Sequence, residues 1–194
     1  MLYWLGRTLA WIILKVLYRL SIAGQDNIPA SGGALIACSH QSFADPLIVG
    51  VAMRPRKVCF MARKSLFKNP LFGWLIRAVN TFPVNRGEVD AEAVKAAIEK
   101  LRSGQVLLVF PEGTRTADGN FGEIRSGAAM IASRAGVPIL PMVVHGMYEA
   151  WPRHQKYPGP GRVSVALGEA IPPPSTNRAE RQAATELLAR RWQE

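Results

Sequence analysis

The sequence has little cysteine, little acid, no repeats and no low-complexity tract, and each shortage narrows what the chain can be. Its two cysteines, Cys38 and Cys59, each sit inside an apolar run. With no Cys-x2-Cys pair and no His-rich tract they point to neither zinc nor a disulfide framework, which leaves buried free thiols in a reducing compartment. No Ser/Gly/Pro-rich stretch and no long run of one charge sign interrupts a chain that is 48% hydrophobic. The 194 residues are therefore expected to fold as one core, or a core with a short appendage. A Gly-x-Ser-x-Gly elbow is missing, which removes the usual setting of a nucleophilic serine. Acid is scarce, 14 Asp and Glu against 24 Lys and Arg, for a net charge of +10. That excess calls for a polyanionic partner: nucleic acid, anionic lipid head groups or a phosphorylated substrate. The clustered basic and aromatic strand motifs of common RNA readers are absent, so nucleic acid is not expected.

The chain also lacks the near-uncharged run of about 20 apolar residues that a membrane-spanning helix needs. Residues 1–20, MLYWLGRTLAWIILKVLYRL, come near it but are broken by Arg7, Lys15 and Arg19. At about 100° per residue these cations fall within an arc of about 120°, together with Trp4, Trp11 and Tyr18, leaving a broad face of Leu, Ile and Val. The pattern predicts an interfacial helix, with its apolar side near the acyl boundary and its cations against anionic head groups. An ordinary first helix packed on the core is the alternative. A secretory leader cleaved near Ser21-Ile22-Ala23 is a weaker one, because Lys15 interrupts its apolar stretch.

Beyond this segment, short apolar runs alternate with helical patterns. Strands are predicted at Ala34–Cys38, Val58–Ala62, Thr81–Val84, Val106–Phe110, Ile139–Val144 and Val163–Leu167. Asp90 is placed to cap a helix in which Ala93, Val94, Ala97, Ile98 and Leu101 share one face and Gly104 ends it. Further helices are predicted over Ser126–Ala135 and Arg178–Trp192. The fold class is therefore α/β, a single mostly buried sheet flanked by helices with the amphipathic membrane-surface helix at the N-terminus. Residues 1–23 are expected to form an anchoring segment and 24–194 the main domain, which carries whatever chemistry the chain performs. Continuous apolar strands such as VLLVF are covered on both faces, so polar function must sit in loops at strand ends.

Three such loops carry reactive residue types. Ser39-His40-Gln41-Ser42-Phe43-Ala44-Asp45-Pro46 follows the first predicted strand. Pro46 suits the first helical position with Asp45 as its cap, and the loop allows the Asp45 carboxylate to curl back onto the His40 imidazole. A His-x4-Asp spacing is by itself weak, and taken alone it is better read as a plain helix cap beside a polar loop histidine. Phe110-Pro111-Glu112-Gly113-Thr114-Arg115-Thr116 leaves the VLLVF strand, where glycine allows close backbone approach and Arg115 offers a bidentate fork for phosphate. Asn80-Thr81-Phe82-Pro83-Val84-Asn85-Arg86 ends another short strand on an arginine.

Taken in order, His40-x4-Asp45, Phe82-Pro83-Val84-x-Arg86, Phe110-Pro111-Glu112-Gly113-Thr114-Arg115 and Val137-Pro138-Ile139-Leu140-Pro141 resemble the 1-acylglycerol-3-phosphate acyltransferase family. The resemblance implies that His40 deprotonates the acceptor hydroxyl while Asp45 orients the imidazole. The hydroxyl then attacks an acyl thioester directly, with neither Cys38 nor Ser42 as nucleophile. It implies an acceptor site built from Arg86, Glu112, Gly113, Thr114 and Arg115, with Arg125 of Ile124-Arg125-Ser126-Gly127 as a second phosphate contact and backbone donors for the oxyanion. No metal or cofactor is expected. The implied partners are a lysophospholipid acceptor, a thioester donor carried by coenzyme A or acyl carrier protein, and an anionic membrane surface. The implied location is peripheral or monotopic on the cytoplasmic face of the cell membrane. Acylation of glycerol 3-phosphate or a lyso-aminolipid, and a non-catalytic role at anionic membranes, are the competing readings. Ser39 stands where the family often has Asn, and Asn80 where glycine is common; Asn tolerates left-handed backbone better than most residues.

Overall fold

In the computed structural model, which describes residues 2–85 and 90–194, the apolar runs Ala34–Cys38 and Val106–Val109 lie side by side as parallel strands in the middle of a seven-stranded sheet. In chain order the strands are β1 (Ser21–Ala23), β2 (Ala34–Cys38), β3 (Val58–Arg63), β4 (Thr81–Val84), β5 (Val106–Val109), β6 (Ile139–His145) and β7 (Ser164–Leu167). Across the sheet they run β1-β7-β6-β2-β5-β3-β4, all neighbours parallel except the antiparallel pair β6 and β7. The helices are α1 (Leu2–Tyr18), α2 (Asp45–Ala52), α3 (Pro70–Ala78), α4 (Ala91–Arg102), α5 (Gly127–Ala135), α6 (Met147–Ala150) and α7 (Arg178–Arg191).

The period-2 alternation of β2 sorts its side chains between two cores. Ala34, Ile36 and Cys38 pack with Leu14 of α1 and Ile48 and Val49 of α2, while Leu35 and Ala37 pack with Leu101 of α4, Ala132 of α5 and Leu188 of α7. Both faces are covered, which is why β2 reads as apolar throughout and is fully buried. The fold is the α/β sheet flanked by helices that the sequence predicts. Local signals behave as read: the Asp90 carboxylate accepts from the Ala93 amide at 3.0 Å, and Gly104 closes that helix region with φ 83. Asn80 takes φ 66, the left-handed backbone that glycine usually supplies.

Three features differ from expectation. Ser21–Ala23, assigned by sequence to the N-terminal segment, is the edge strand β1, paired in parallel with β7. At 3 residues it is too short to register as a strand by pattern. Helix α1 buries only a narrow stripe, Tyr3, Ala10, Leu14 and Tyr18, and its cations border that stripe. The Arg7 guanidinium lies 4.1 Å over the Trp4 ring, and Lys15 donates to the Leu20 carbonyl at 3.0 Å. The remaining face, including Leu5, Leu9, Ile12 and Val16, is exposed. Asp45 is not a helix cap: Ala44 holds the cap position without a side-chain bond. The Asp45 carboxylate turns back to the preceding loop instead, where the His40 ring and the Gln41 and Ser42 amides hold it.

Because β2 and β5 are parallel, both deliver their following loops to one edge of the sheet. From β2 the chain crosses through α2 towards β3, and from β5 it crosses through α5 the other way, towards β6. Connections that part in opposite directions leave a crevice beyond the carboxyl ends of the strands between them.

Candidate active site

The loop after β2 is held by its neighbours rather than by itself. The Ser39 hydroxyl accepts from the Val144 amide at 3.0 Å, the Gln41 side-chain carbonyl accepts from the Met147 and Tyr148 amides at 3.2 Å each, and the Ser42 hydroxyl donates to the Trp151 carbonyl at 2.9 Å. All three side chains are buried. His40 is thereby presented from a fixed frame.

His40 Nδ1 lies 2.9 Å from Asp45 Oδ2. The same oxygen accepts from the Gln41 amide at 2.7 Å and the Ser42 amide at 2.8 Å. Asp45 is fully buried. An acceptor-only oxygen facing Nδ1 assigns the proton to that nitrogen and leaves the Nε2 lone pair free, since Nε2 has no protein partner among the described residues. The imidazole also lies flat on Phe110, ring centroids 3.8 Å apart and planes 11° from parallel, and keeps 14% of its surface open to solvent.

Glu112 ties the two loops together. Its Oε1 accepts from the His40 backbone amide at 2.8 Å and its Oε2 from the Gly122 amide at 2.7 Å. In return the His40 carbonyl accepts from the Thr116 amide at 2.8 Å. Burial pushes the Glu112 carboxyl above the usual glutamate range, the backbone donors and the His40 charge partly offsetting it. Gly122 approaches so closely that a β-carbon there would stand 3.0 Å from Oε2.

Cations gather around this frame. The Arg115 guanidinium lies 3.5 Å over the Phe43 ring, and its Nη1 is buried without a protein partner among the described residues. Burial lowers its pKa, and Arg153 and Arg63 add repulsion that Asp45 partly offsets. A half-buried guanidinium with an unsatisfied donor suits an anionic ligand. Gly113 has φ 74, and a β-carbon there would sit 3.4 Å from Arg125 Nη1, so the Arg125 side chain lies over the turn that also carries exposed Thr114. The structure thus brings together His40, Asp45, Glu112, Gly113, Thr114, Arg115 and Arg125. Arg86 lies outside the described residues, although β4, which leads to it, ends at the same sheet edge. Cys38 is fully buried, and its thiol pKa is raised first by that burial and then by the Asp45 and Glu112 charges, the opposite of a poised nucleophile.

A family model described as acyltransferase matches residues 19–145, more than half of the chain. The chain belongs to the acyltransferase family. Among its relatives it is 29% identical over 160 residues to a 1-acyl-sn-glycerol-3-phosphate acyltransferase of Bacillus subtilis, covering 82% of this chain and 77% of that one. It is 36% identical over 123 residues to a protein of the same name from Streptococcus pneumoniae, covering 62% of this chain and 45% of that one. The crystal structure of the 1-acyl-sn-glycerophosphate (LPA) acyltransferase PlsC from Thermotoga maritima superposes with a TM-score of 0.83 at 28% identity, over 97% of this chain and 77% of that one. The chain therefore spans most of some relatives and under half of others.

Several residues of this candidate site escape a reading by motif. Phe110 stacks on His40, Phe43 underlies Arg115, and Gln41 anchors the loop to α6. All three sit inside the motif blocks, and their positions beside His40, Asp45 and Glu112 were the signal that could have found them. Arg63 and Arg153 had none, because only the folded chain brings their charges near Arg115.

Proposed function

We propose that the protein transfers a fatty acyl group from an acyl thioester to the sn-2 hydroxyl of 1-acylglycerol 3-phosphate, giving phosphatidic acid. The observation that carries this reading is the His40–Asp45 pair, with Nε2 free at the carboxyl edge of the sheet and a half-buried arginine beside it. His40 Nε2 takes the hydroxyl proton as the oxygen attacks the thioester carbonyl. Asp45 holds the Nδ1 proton and balances the imidazolium charge. Collapse of the tetrahedral intermediate breaks the carbon–sulfur bond, and the proton on Nε2 passes to the departing thiolate. Arg115 binds the acceptor phosphate, with Arg125 and Arg86 as further contacts. Glu112 serves the same site by fixing the backbone of His40. The donor carrier is coenzyme A or acyl carrier protein.

The protein works at an anionic membrane surface, docked through the exposed apolar face of α1; no helix among the described residues is long and apolar enough to cross a membrane. Incubation with labelled acyl thioester and lysophosphatidic acid should give labelled phosphatidic acid. His40→Ala should lower turnover roughly a hundred- to ten-thousandfold in a protein of unchanged circular dichroism. Near-normal turnover in that variant would remove His40 from the chemistry.

A further inference from the structure

Helix α3 wears its apolar residues on the outside. Leu71, Trp74 and Leu75, spaced i, i+3, i+4 on one helical stripe, are 76%, 59% and 45% exposed, and Phe72 and Leu66 beside them are exposed too. The one fully buried residue of α3 is Gly73, where an added β-carbon would stand 3.0 Å from the Phe67 carbonyl oxygen. A helix in a water-soluble protein turns such a stripe inward. Here it has no protein partner among the described residues, and it is flanked by exposed Arg63, Lys64, Lys68 and Arg77. Between Asp45 and Glu88 the sequence contains no carboxylate at all.

The fold sets this stripe on the same side as α1. A right-handed β3–α3–β4 crossover places α3 on the face of the sheet that α1 and α2 cover. The end of α3 and the start of α1 also border one open cavity of about 450 Å³, lined by Tyr3, Arg56, Lys57, Arg77 and Ala78 among others. Phe43 and Leu47, at the start of α2 and next to the catalytic loop, are exposed as well.

We infer that α3 is a second membrane-docking element. It inserts Leu71, Trp74 and Leu75 into the outer acyl region of an anionic leaflet, while Lys64 and Lys68 meet the head groups. With α1 it makes a two-point seat that holds the mouth of the site against the lipid. Charge decides the occupant: a second copy of this chain would set the same cations against themselves. An acidic carrier protein would match the cations but would leave the outward apolar stripe without a hydrocarbon phase to enter. The inference takes its purpose from the proposed lipid acyl transfer, but its test is separable.

The test pairs Leu71→Glu with Trp74→Glu in one variant and Lys64→Gln with Lys68→Gln in another, all at exposed positions and none of them a residue of the proposed acceptor site. Four readouts apply: binding to phosphatidylcholine–phosphatidylglycerol vesicles, sedimentation without lipid, turnover of short-chain acceptor and thioester dissolved as monomers, and turnover of the same acceptor with a donor carried by acyl carrier protein. Both variants should lose vesicle affinity roughly tenfold or more, sediment as the parent does, and turn over the dissolved substrates at the parent rate. Unchanged vesicle affinity overturns the inference. A change in sedimenting mass overturns it in favour of self-association, and a loss confined to turnover of a donor carried by acyl carrier protein overturns it in favour of that partner. Failure of the parent protein to acylate the dissolved acceptor would instead sink the proposed reaction and leave the vesicle result standing.

Discussion

The His40 imidazole lies on the Phe110 ring at 3.8 Å between centroids, only 11° from parallel. Asp45 fixes the ring at one nitrogen, but a single hydrogen bond leaves rotation about it free, and the phenyl face removes that freedom. Phe110→Ala should therefore lower kcat about tenfold or more while leaving KM near its original value, because misplacing a base costs rate rather than binding. Phe110→Leu, which refills the space, should recover part of the loss. Steady-state kinetics on the two variants checks this; a change in KM alone would assign Phe110 to the substrate pocket.

Asp45 Oδ2 accepts three donors, from His40, Gln41 and Ser42. Its removal should thus show in stability as well as in rate. Asp45→Ala orphans all three donors, two of them backbone amides in a buried loop. It should cost about 3 kcal/mol or more, since each unmet buried group costs about 1–3 kcal/mol. Asp45→Asn keeps an acceptor but removes the charge that balances the imidazolium, and should lower kcat roughly a hundred- to ten-thousandfold with a smaller stability loss. Denaturant titration alongside kinetics separates the two effects.

Much of this was legible in the sequence because the responsible signals are local. Buried strands such as Ala34–Cys38 announce themselves as unbroken apolar runs, and Asp90 and Gly104 bracket α4 by capping rules that act within one turn. The proximity of His40 and Asp45 needs only a short loop. Glu112 was readable as a site residue, but its bonds to the His40 and Gly122 amides were not, since they depend on β2 and β5 becoming neighbours across 72 residues of chain. Helix α3 stayed hidden for a different reason: in PLFGWLIRAV apolar residues stand on nearly every side, so periodicity alone separates neither helix from strand nor an inner face from an outer one. In α1 the cations were legible but their direction was not, because Arg7 and Lys15 satisfy carbonyls of the protein itself.

The buried Glu112 carboxyl gives a pH signature. Burial raises its folded pKa above the value in the unfolded chain, so between the two the folded state holds a proton that the unfolded state has released. Stability then falls as pH rises through that window, beginning near the ordinary glutamate value of about 4.3. Glu112→Gln cannot titrate, so the stability of the parent relative to this variant should be greatest on the acid side of the window and decline across it. Denaturant midpoints of both proteins measured side by side would show this. A difference independent of pH would mean that the two backbone donors hold the carboxylate ionised despite its burial.

Arg115 is the sharpest probe of which acceptor the site takes. Its guanidinium is braced on the Phe43 ring and presents a buried Nη1 that no described protein group satisfies, which is the state of a donor awaiting an anion. If that anion is the acceptor phosphate, Arg115→Gln should lower kcat/KM for lysophosphatidic acid about ten- to a hundredfold, the worth of one or two charge-assisted hydrogen bonds. A monoacylglycerol, which has no phosphate to lose, should be acylated at nearly the parent rate. Arg115→Lys keeps the charge but not the planar fork and should fall between the two. Equal losses with both acceptors would mean that Arg115 shapes the loop around His40, and the phosphate would then have to be held by Arg125 and Arg86.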